Sequence, residues 1–320
     1  MQRRLLPLML MVSLVSIGLA GDDALHAAAY PTKPITLIVA YGAGGGTDVT
    51  ARLLASSLQR ALGQPVIVTN VTGGGGWLGW GRLAQSAPDG YTIGYINVPN
   101  MFAGYLDPQI GRKESLESFV TIMNHVTDPG VWIVRPDSPL RSVGDVISSL
   151  RQRPGGLVIA AHGYGGDDHL GVLQVEKRYG VRFSVIHNDS TAVSISQLLG
   201  GHVDIVGANV GEVTSLIRQG EVRALGVAWR ERSPFLPDVP TFREQGYDVI
   251  YFVGRGIAAP AGTPPDIVGV LTAALERAVA DPEHLRRLEE LGLQLDTMRG
   301  AEYQRFLKEN EQMVKDLMGW

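Results

Sequence analysis

The sequence predicts an α/β protein of two doubly wound domains, joined by hinge strands around a central cleft. Three observations predict it. Strand and helix patterns alternate from Ile35 to the C-terminus, the mark of parallel sheets covered by right-handed crossover helices. The alternation restarts after Asp128-Pro129-Gly130. And two similar stretches, "LIVAYGAGGGTDVTARLL" and "LVIAAHGYGGDDHLGVLQ", each run from apolar strand through Gly-rich turn and acidic residue to amphipathic helix, one in each half. Ligand loops in such sheets gather at the C-terminal strand edges, so two facing domains enclose a cleft.

In the first half, "ITLIVAY" is a continuous apolar run of strand length, as in a parallel strand buried on both faces. A helix follows with Val49, Leu53, Leu54, Leu58, Ala61 and Leu62 on one face, stopped by Gly63 with Pro65 beyond. "PVIVTN" is the next strand, "VTGGGGWLGWGRLAQSA" a second Gly-rich turn entering a helix, and "PDGYTIGYIN" a turn and strand. The second half opens with strand and turn in "VWIVRPDSPL" and a helix in "SVGDVISSLRQRPG". Strand, Gly-rich turn and helix come next, then strand "VRFSVIH" and helix "STAVSISQLLGG". Strand "HVDIVGAN", helix "VGEVTSLIRQG" and strand "VRALGVAW" complete the half. A Pro-rich loop leads to a late strand and helix in "GRGIAAPAGTPPDIV", and Ala301 to Leu317 reads as a charged amphipathic helix. The late segment returns to the first unit, so residues 30–129 and 250–320 are expected in one domain and 130–249 in the other.

The 320 residues are 45% hydrophobic and 19% charged, an ordinary globular balance. A formal net charge of −4 offers no basic footprint for nucleic acid. The absence of cysteine excludes disulfides, thiolate metal sites and cysteine nucleophiles. At the N-terminus "MQRR" precedes the apolar "LLPLMLMVSLVSIGLA", which is short for a bilayer span; Gly18-Leu19-Ala20 and Ala27-Ala28-Ala29 both suit cleavage. Residues 1–29 are therefore expected to be a secretory signal peptide and the mature protein to be periplasmic.

The first Gly-rich loop resembles a nucleotide site but fails the test. Thr47 stands where G-x-G-x-x-G wants its third glycine, and no Gly-Lys-Ser/Thr follows. No G-x-S-x-G or H-E-x-x-H is present, so no enzyme motif competes. What remains is a helix start with unpaired N–H groups and about half a positive charge. Two such starts across a cleft would clamp an anion, most simply a carboxylate. The plainer alternative is that the glycines make tight turns and the acidic residues cap helices.

Here the chain resembles, nearly end to end, the Bug-type solute-binding proteins of tripartite tricarboxylate transporters. The likeness is carried by "YPTKPITLIVAYGAGGGTDVTARLLASSLQRALGQPVIVTN", "APDGYT", "LLGGHVDI", "VRALGVAWRERSPFLPDVPTF" and "APAGTP". It implies a type II periplasmic-binding-protein fold closing on a small organic acid, delivery to the inner-membrane permease subunits of such an importer, no cofactor or metal, and a monomer. It implies ligand contacts from Tyr41, Gly42, Ala43, Gly44, Gly45, Gly46, Thr47 and Asp48, and from His162, Gly163, Tyr164, Gly165, Gly166, Asp167, Asp168 and His169. Gly73, Gly74, Gly75, Trp77, Asn209 and Glu212 resemble further cleft-lining positions. A ligand sensor for a signalling receptor, or an exported hydrolase or metal-dependent enzyme on a similar scaffold, are the alternatives.

Three features depart from the family pattern. Asp167 and Asp168 stand where hydroxyls are common, Asn188-Asp189-Ser190 stands where Tyr-Lys-Gly is common, and Arg255 lies near the position of a usual aromatic. A like-charge pair 4 Å apart costs ~4 kcal/mol at an effective dielectric of 20, about half of a micromolar binding energy of ~8 kcal/mol. An Asp turns back onto its helix, or it meets an ammonium or hydroxyl on the ligand, or it binds through a metal or water, with Arg255 available as a compensating charge.

Overall fold

The computed structural model describes residues 30–320, so the expected signal peptide lies outside the described residues. Nine strands form one continuous hydrogen-bonded network in the order β2-β1-β3-β9-β4-β7-β5-β6, with β8 also on β4. The strands are β1 (Ile35–Val39), β2 (Val66–Asn70), β3 (Thr92–Val98), β4 (Phe119–Val134), β5 (Val158–His162), β6 (Ser184–Asn188), β7 (Ile205–Asn209), β8 (Arg223–Ala228) and β9 (Phe252–Pro260).

The network divides along β4. Residues 119–129 of β4 pair with β9, and residues 130–134 pair with β7 on one side and β8 on the other. The exchange of partners falls at Pro129-Gly130, where the proline has no N–H to offer a ladder. β1, β2 and β3 are parallel to one another, as are β5, β6 and β7. The long β4 and β9 run antiparallel to their neighbours. The result is a two-domain α/β fold in which one strand belongs to both sheets.

Residues on both faces of each sheet explain the continuous apolar runs. In β1, Ile35, Leu37 and Val39 pack into one cluster with Leu54 and Leu58 of α1 (Gly46–Leu62) and Leu271 and Leu275 of a later helix. Ile38 and Ala40 point the other way, toward Trp80, Phe102 and Tyr303. In β4, Trp132 and Val134 face one cluster of the second domain, and Val131 and Ile133 the opposite one. Each fully buried side chain of this size contributes roughly 1.5–3 kcal/mol.

The remaining helices are α2 (Trp77–Ala84), α3 (Asn100–Leu106), α4 (Val143–Gln152), α5 (Asp167–Tyr179), α6 (Thr191–Leu199), α7 (Val210–Arg218), α8 (Pro265–Val279), α9 (Pro282–Glu290) and α10 (Gly300–Met318). Ser142 caps α4 and Ser190 caps α6 through their side-chain oxygens. Three pieces escape the sequence patterns: α3, α9 and the first half of β4. No helix among the described residues is long and apolar enough to cross a membrane.

Candidate functional site

The two Gly-rich loops face each other across a cavity of about 610 Å³ at the junction of the domains. Their backbones are near copies. Gly45 and Gly166 are the N-caps of α1 and α5, with φ, ψ of −75°, 165° and −70°, 167°. One residue earlier, Gly44 and Gly165 have φ of 80° and 72°, a left-handed conformation that a side chain disfavours. Gly45 N–H donates to the Gly42 carbonyl, and Gly166 N–H to the Gly163 carbonyl, both at 3.3 Å.

Each turn is braced from beneath by the third residue of its helix. Asp48 Oδ2 accepts from Gly44 N–H at 2.8 Å, and His169 Nδ1 accepts from Gly165 N–H at 3.0 Å. Burial pushes the Asp48 carboxyl up, but its bonds from Arg52, Gly44 and Asn70 outweigh this and hold it below the usual carboxylate value. Burial, and then the neighbouring His187, lower His169 to about 4, so its ring is neutral and free to accept. Asp168 is the other brace: its Oδ2 accepts from His162 N–H at 3.2 Å. Burial and then the Asp167 charge drive the Asp168 carboxyl well above its ordinary range.

The structure brings Tyr41, Gly42, Ala43, Gly44, Gly45, Gly46, Thr47, His162, Asp167, Asn209 and Glu212 to the cavity wall. It leaves the others off that wall. Asp48, Asp168 and His169 are buried braces. Gly163, Gly165 and Gly166 form the turn itself, and a Cβ on Gly165 would run into Ala103 of the first domain. Tyr164 is 62% exposed and turns outward over the His169 ring. Gly73, Gly74 and Gly75 are exposed away from the cavity. Trp77 is packed in the first domain's core, with Nε1 donating to the Met101 carbonyl at 2.9 Å.

The cavity also takes residues that the loop motifs did not mark. Asn97 lies at the end of β3, and its Nδ2 donates to Thr47 Oγ1 at 2.8 Å. Asn100, at the start of α3, donates from Nδ2 to Asp167 Oδ1 at 2.9 Å. On the second domain Asn209 Nδ2 donates to Asp167 Oδ2 at 2.8 Å, and the Asn209 N–H donates to Glu212 Oε2 at 3.1 Å. Asp167 thus ties its own domain to the first through Oδ1, while Oδ2 is held by Asn209 of its own domain. Tyr41 and His162 meet edge to face across the same divide, ring centroids 5.2 Å apart. Burial, and then the Asp167 charge, keep the Tyr41 phenol protonated far above its ordinary range.

Arg255 of β9 is 1% exposed and lines the cavity. Its Nη1 donates to Asp128 Oδ2 at 3.0 Å, an ion pair buried on both sides. Asp128 Oδ1 also accepts from Gly211 N–H at 3.0 Å. Burial raises the Asp128 carboxyl to about 6, the nearby guanidinium opposing the rise. A signal for this pair was present in the sequence: an arginine inside the apolar run "FVGRGIAAP" demands a partner if the run is a buried strand.

Residues 50–319 match the family described as "Tripartite tricarboxylate transporter family receptor". The chain belongs to this family of receptors. It is 35% identical over 269 residues to Protein BugT of Bordetella pertussis, covering 83% of this chain and 82% of that one. Among solved structures, the periplasmic binding protein BugD is similar at 32% identity and a TM-score of 0.79, over 90% of this chain and 96% of that one. MatC of Rhodopseudomonas palustris, solved with bound malate, is similar at 27% identity and a TM-score of 0.78, over 90% and 99%. The fold is accordingly that of the two-domain periplasmic binding proteins.

Proposed function

We propose that this receptor of the tripartite tricarboxylate family is a periplasmic solute-binding protein that captures a small organic acid between its two domains and presents it to the family's membrane permease. The observation that carries this reading is the open N-terminus of α1. Gly46 and Thr47 line the cavity, no hydrogen-bond partner for their N–H groups is found among the described residues, and Arg255 Nη2 lies 2.7 Å from where a Gly46 Cβ would stand. Unpaired amides, the positive end of a helix and a guanidinium converge there, which suits a carboxylate. The malate bound by MatC supports the same ligand class. The exchange of β4's partners after Pro129 supports a hinge at 129/130, with 249/250 as its return crossing. The chemistry is binding without turnover: contacts made from both domains bias an open–closed equilibrium toward the closed form.

Native mass spectrometry of freshly purified protein, followed by a melting screen of carboxylates, tests this. A ligand at a hundred times its Kd stabilises by ~2.7 kcal/mol, roughly 5–10 °C in a domain of this size class. Gly46→Val should abolish that shift, because its side chain would occupy the space of Arg255 and Glu212. A full shift in Gly46→Val would remove the site. Chemical conversion of the bound acid at catalytic protein concentration would remove the binding-protein reading.

A further inference from the structure

The two helix starts that face the cavity are alike in backbone and opposite in charge. The first helical residue of α1 is Gly46, which has no side chain, and the first helical residue of α5 is Asp167, which places a carboxylate in that helix's first turn. The second loop is therefore not a second anion hole.

The charges around the cavity point the same way. Its wall carries four carboxylates, Asp128, Asp167, Asp189 and Glu212, and one guanidinium, Arg255. Arg255 and Asp128 neutralise each other at 3.0 Å. Asp167, Glu212 and the exposed Asp189 remain, with no salt-bridge partner among the described residues. Each Asp167 oxygen takes a single amide N–H, which leaves acceptor capacity on both.

An independent observation comes from the cavity's asparagines. Asn97 and Asn100 are 2% and 8% exposed, both line the cavity, and the Oδ1 of each has no donor. For Asn100 the amide orientation is set by chemistry, since a carboxylate can only accept and Nδ2 must face Asp167. Buried acceptors without donors are rare in native proteins and call for something to fill them. The unmatched side-chain donor at the site is Arg255 Nε. Arg255 Nη2 and Glu212 Oε1 lie 2.7 and 3.1 Å from where a Gly46 Cβ would stand, so a cation and a carboxylate stand side by side at the start of α1, with Asp167 as a further acceptor on the wall.

We propose that the acid bound here also carries a cationic nitrogen, held by Asp167 and Glu212, so that the ligand is an amino acid or similar zwitterion and not a plain di- or tricarboxylate. The inference rests on the carboxylate reading above and narrows it. The ligand's carboxylate lies at Gly46 and Arg255, and its ammonium N–H groups supply the donors that Asp167, Glu212 and the two asparagine oxygens lack. A metal ion is the poorer occupant, because no group of three or more His, Asp or Glu among the described residues is arranged to hold one.

The test is calorimetric titration of matched pairs, aspartate against succinate, glutamate against glutarate and 2-aminoadipate against adipate, on the wild type and on Glu212→Gln and Asp167→Asn. Glutamine preserves the acceptor for the Asn209 N–H, so Glu212→Gln keeps the start of α7. The amino member of at least one pair should bind at least tenfold tighter than its plain partner, and each variant should shrink that ratio at least fivefold. Plain acids binding as tightly as their amino partners, or more tightly, would overturn the zwitterion and leave the carboxylate receptor standing. A preference unchanged in both variants would overturn the two residues as its cause. Failure of every acid, plain or amino, would bring down both readings.

Discussion

The loop at Gly42–Asp48 and the loop at Gly163–His169 show how one backbone motif serves two chemical ends. Both use a left-handed glycine, a glycine N-cap and a side chain from the third helical position that accepts from the left-handed glycine's N–H. They differ at four side chains. Ala43 stands opposite Tyr164, Gly46 opposite Asp167, Thr47 opposite Asp168, and Asp48 opposite His169 in the same structural order. The turn geometry is a property of the glycines and the brace, so it tolerates either side-chain set. The electrostatics are a property of the side chains of the first turn, Gly46 or Asp167 first among them. A helix N-terminus attracts an anion only while nothing in the chain already occupies it.

The strongest way to break the likeness is steric. Gly165→Val should cost roughly 2–6 kcal/mol, from forcing a β-branched residue to positive φ and driving it into Ala103. Gly44→Val should cost only the backbone part, about 1–3 kcal/mol, because nothing lies within 4 Å of its Cβ position. Urea midpoints measured side by side decide this, and equal losses would mean that the second loop is not pressed against the first domain.

A chemical exchange is next in size. Asp167→Gly makes the second loop a copy of the first at its first helical position. Stability should fall by about 1–3 kcal/mol for each asparagine amide left without its acceptor. Affinity for a plain dicarboxylate should rise, as a second helix start opens to the cavity. Weaker diacid binding in calorimetry would show that Asp167 supports the site by some other means.

The braces should separate by pH. His169 is lowered in the fold to about 4 from an ordinary value near 6.5. Its contribution is complete above about pH 6.5 and is lost as pH falls toward about 4. Asp48 is also lowered, so its contribution is present above the ordinary carboxylate range and is lost only as pH falls below it. Melting temperatures between pH 7 and 4.5, on the order of two units apart, should therefore flatten in His169→Asn relative to wild type and keep their slope in Asp48→Asn. The reverse pattern would mean that the brace at Gly165 does not depend on a neutral imidazole.

The smallest contrast is between the outer glycines. Gly163 has φ of 64° and Gly42 has no positive φ; neither has a neighbour within 4 Å of its Cβ position. Alanine at Gly42 should be neutral or stabilising by about 0.4–1 kcal/mol, through a less disordered unfolded chain. Alanine at Gly163 should cost about 1–2 kcal/mol. Matching Tm values for the two variants would show that the second loop relaxes where the first does not.

Much of the fold was legible because its signals are local. Strand runs buried on both faces, helix stripes and Gly63 as a stop each declare themselves within a few residues. The cavity wall from Tyr41 to Thr47 was legible for the same reason, being one contiguous loop. The sequence by itself determined two strand–glycine–helix units, one per domain, each ending in an open or acid-covered helix start. Only the tertiary structure decided what they face. Asp128 and Arg255 are 127 positions apart, and their pairing depends on β4 and β9 lying side by side. Asn97 and Asn100 are unremarkable until β3 and α3 carry them to Thr47 and Asp167. Whether Asp168 meets a ligand or shelters under its own loop turns on a side-chain direction of a few ångströms, set by the free N–H of His162 and the space beside Gly207. Local sequence encodes backbone periodicity and caps, whereas burial and charge pairing are fixed only when distant strands pack.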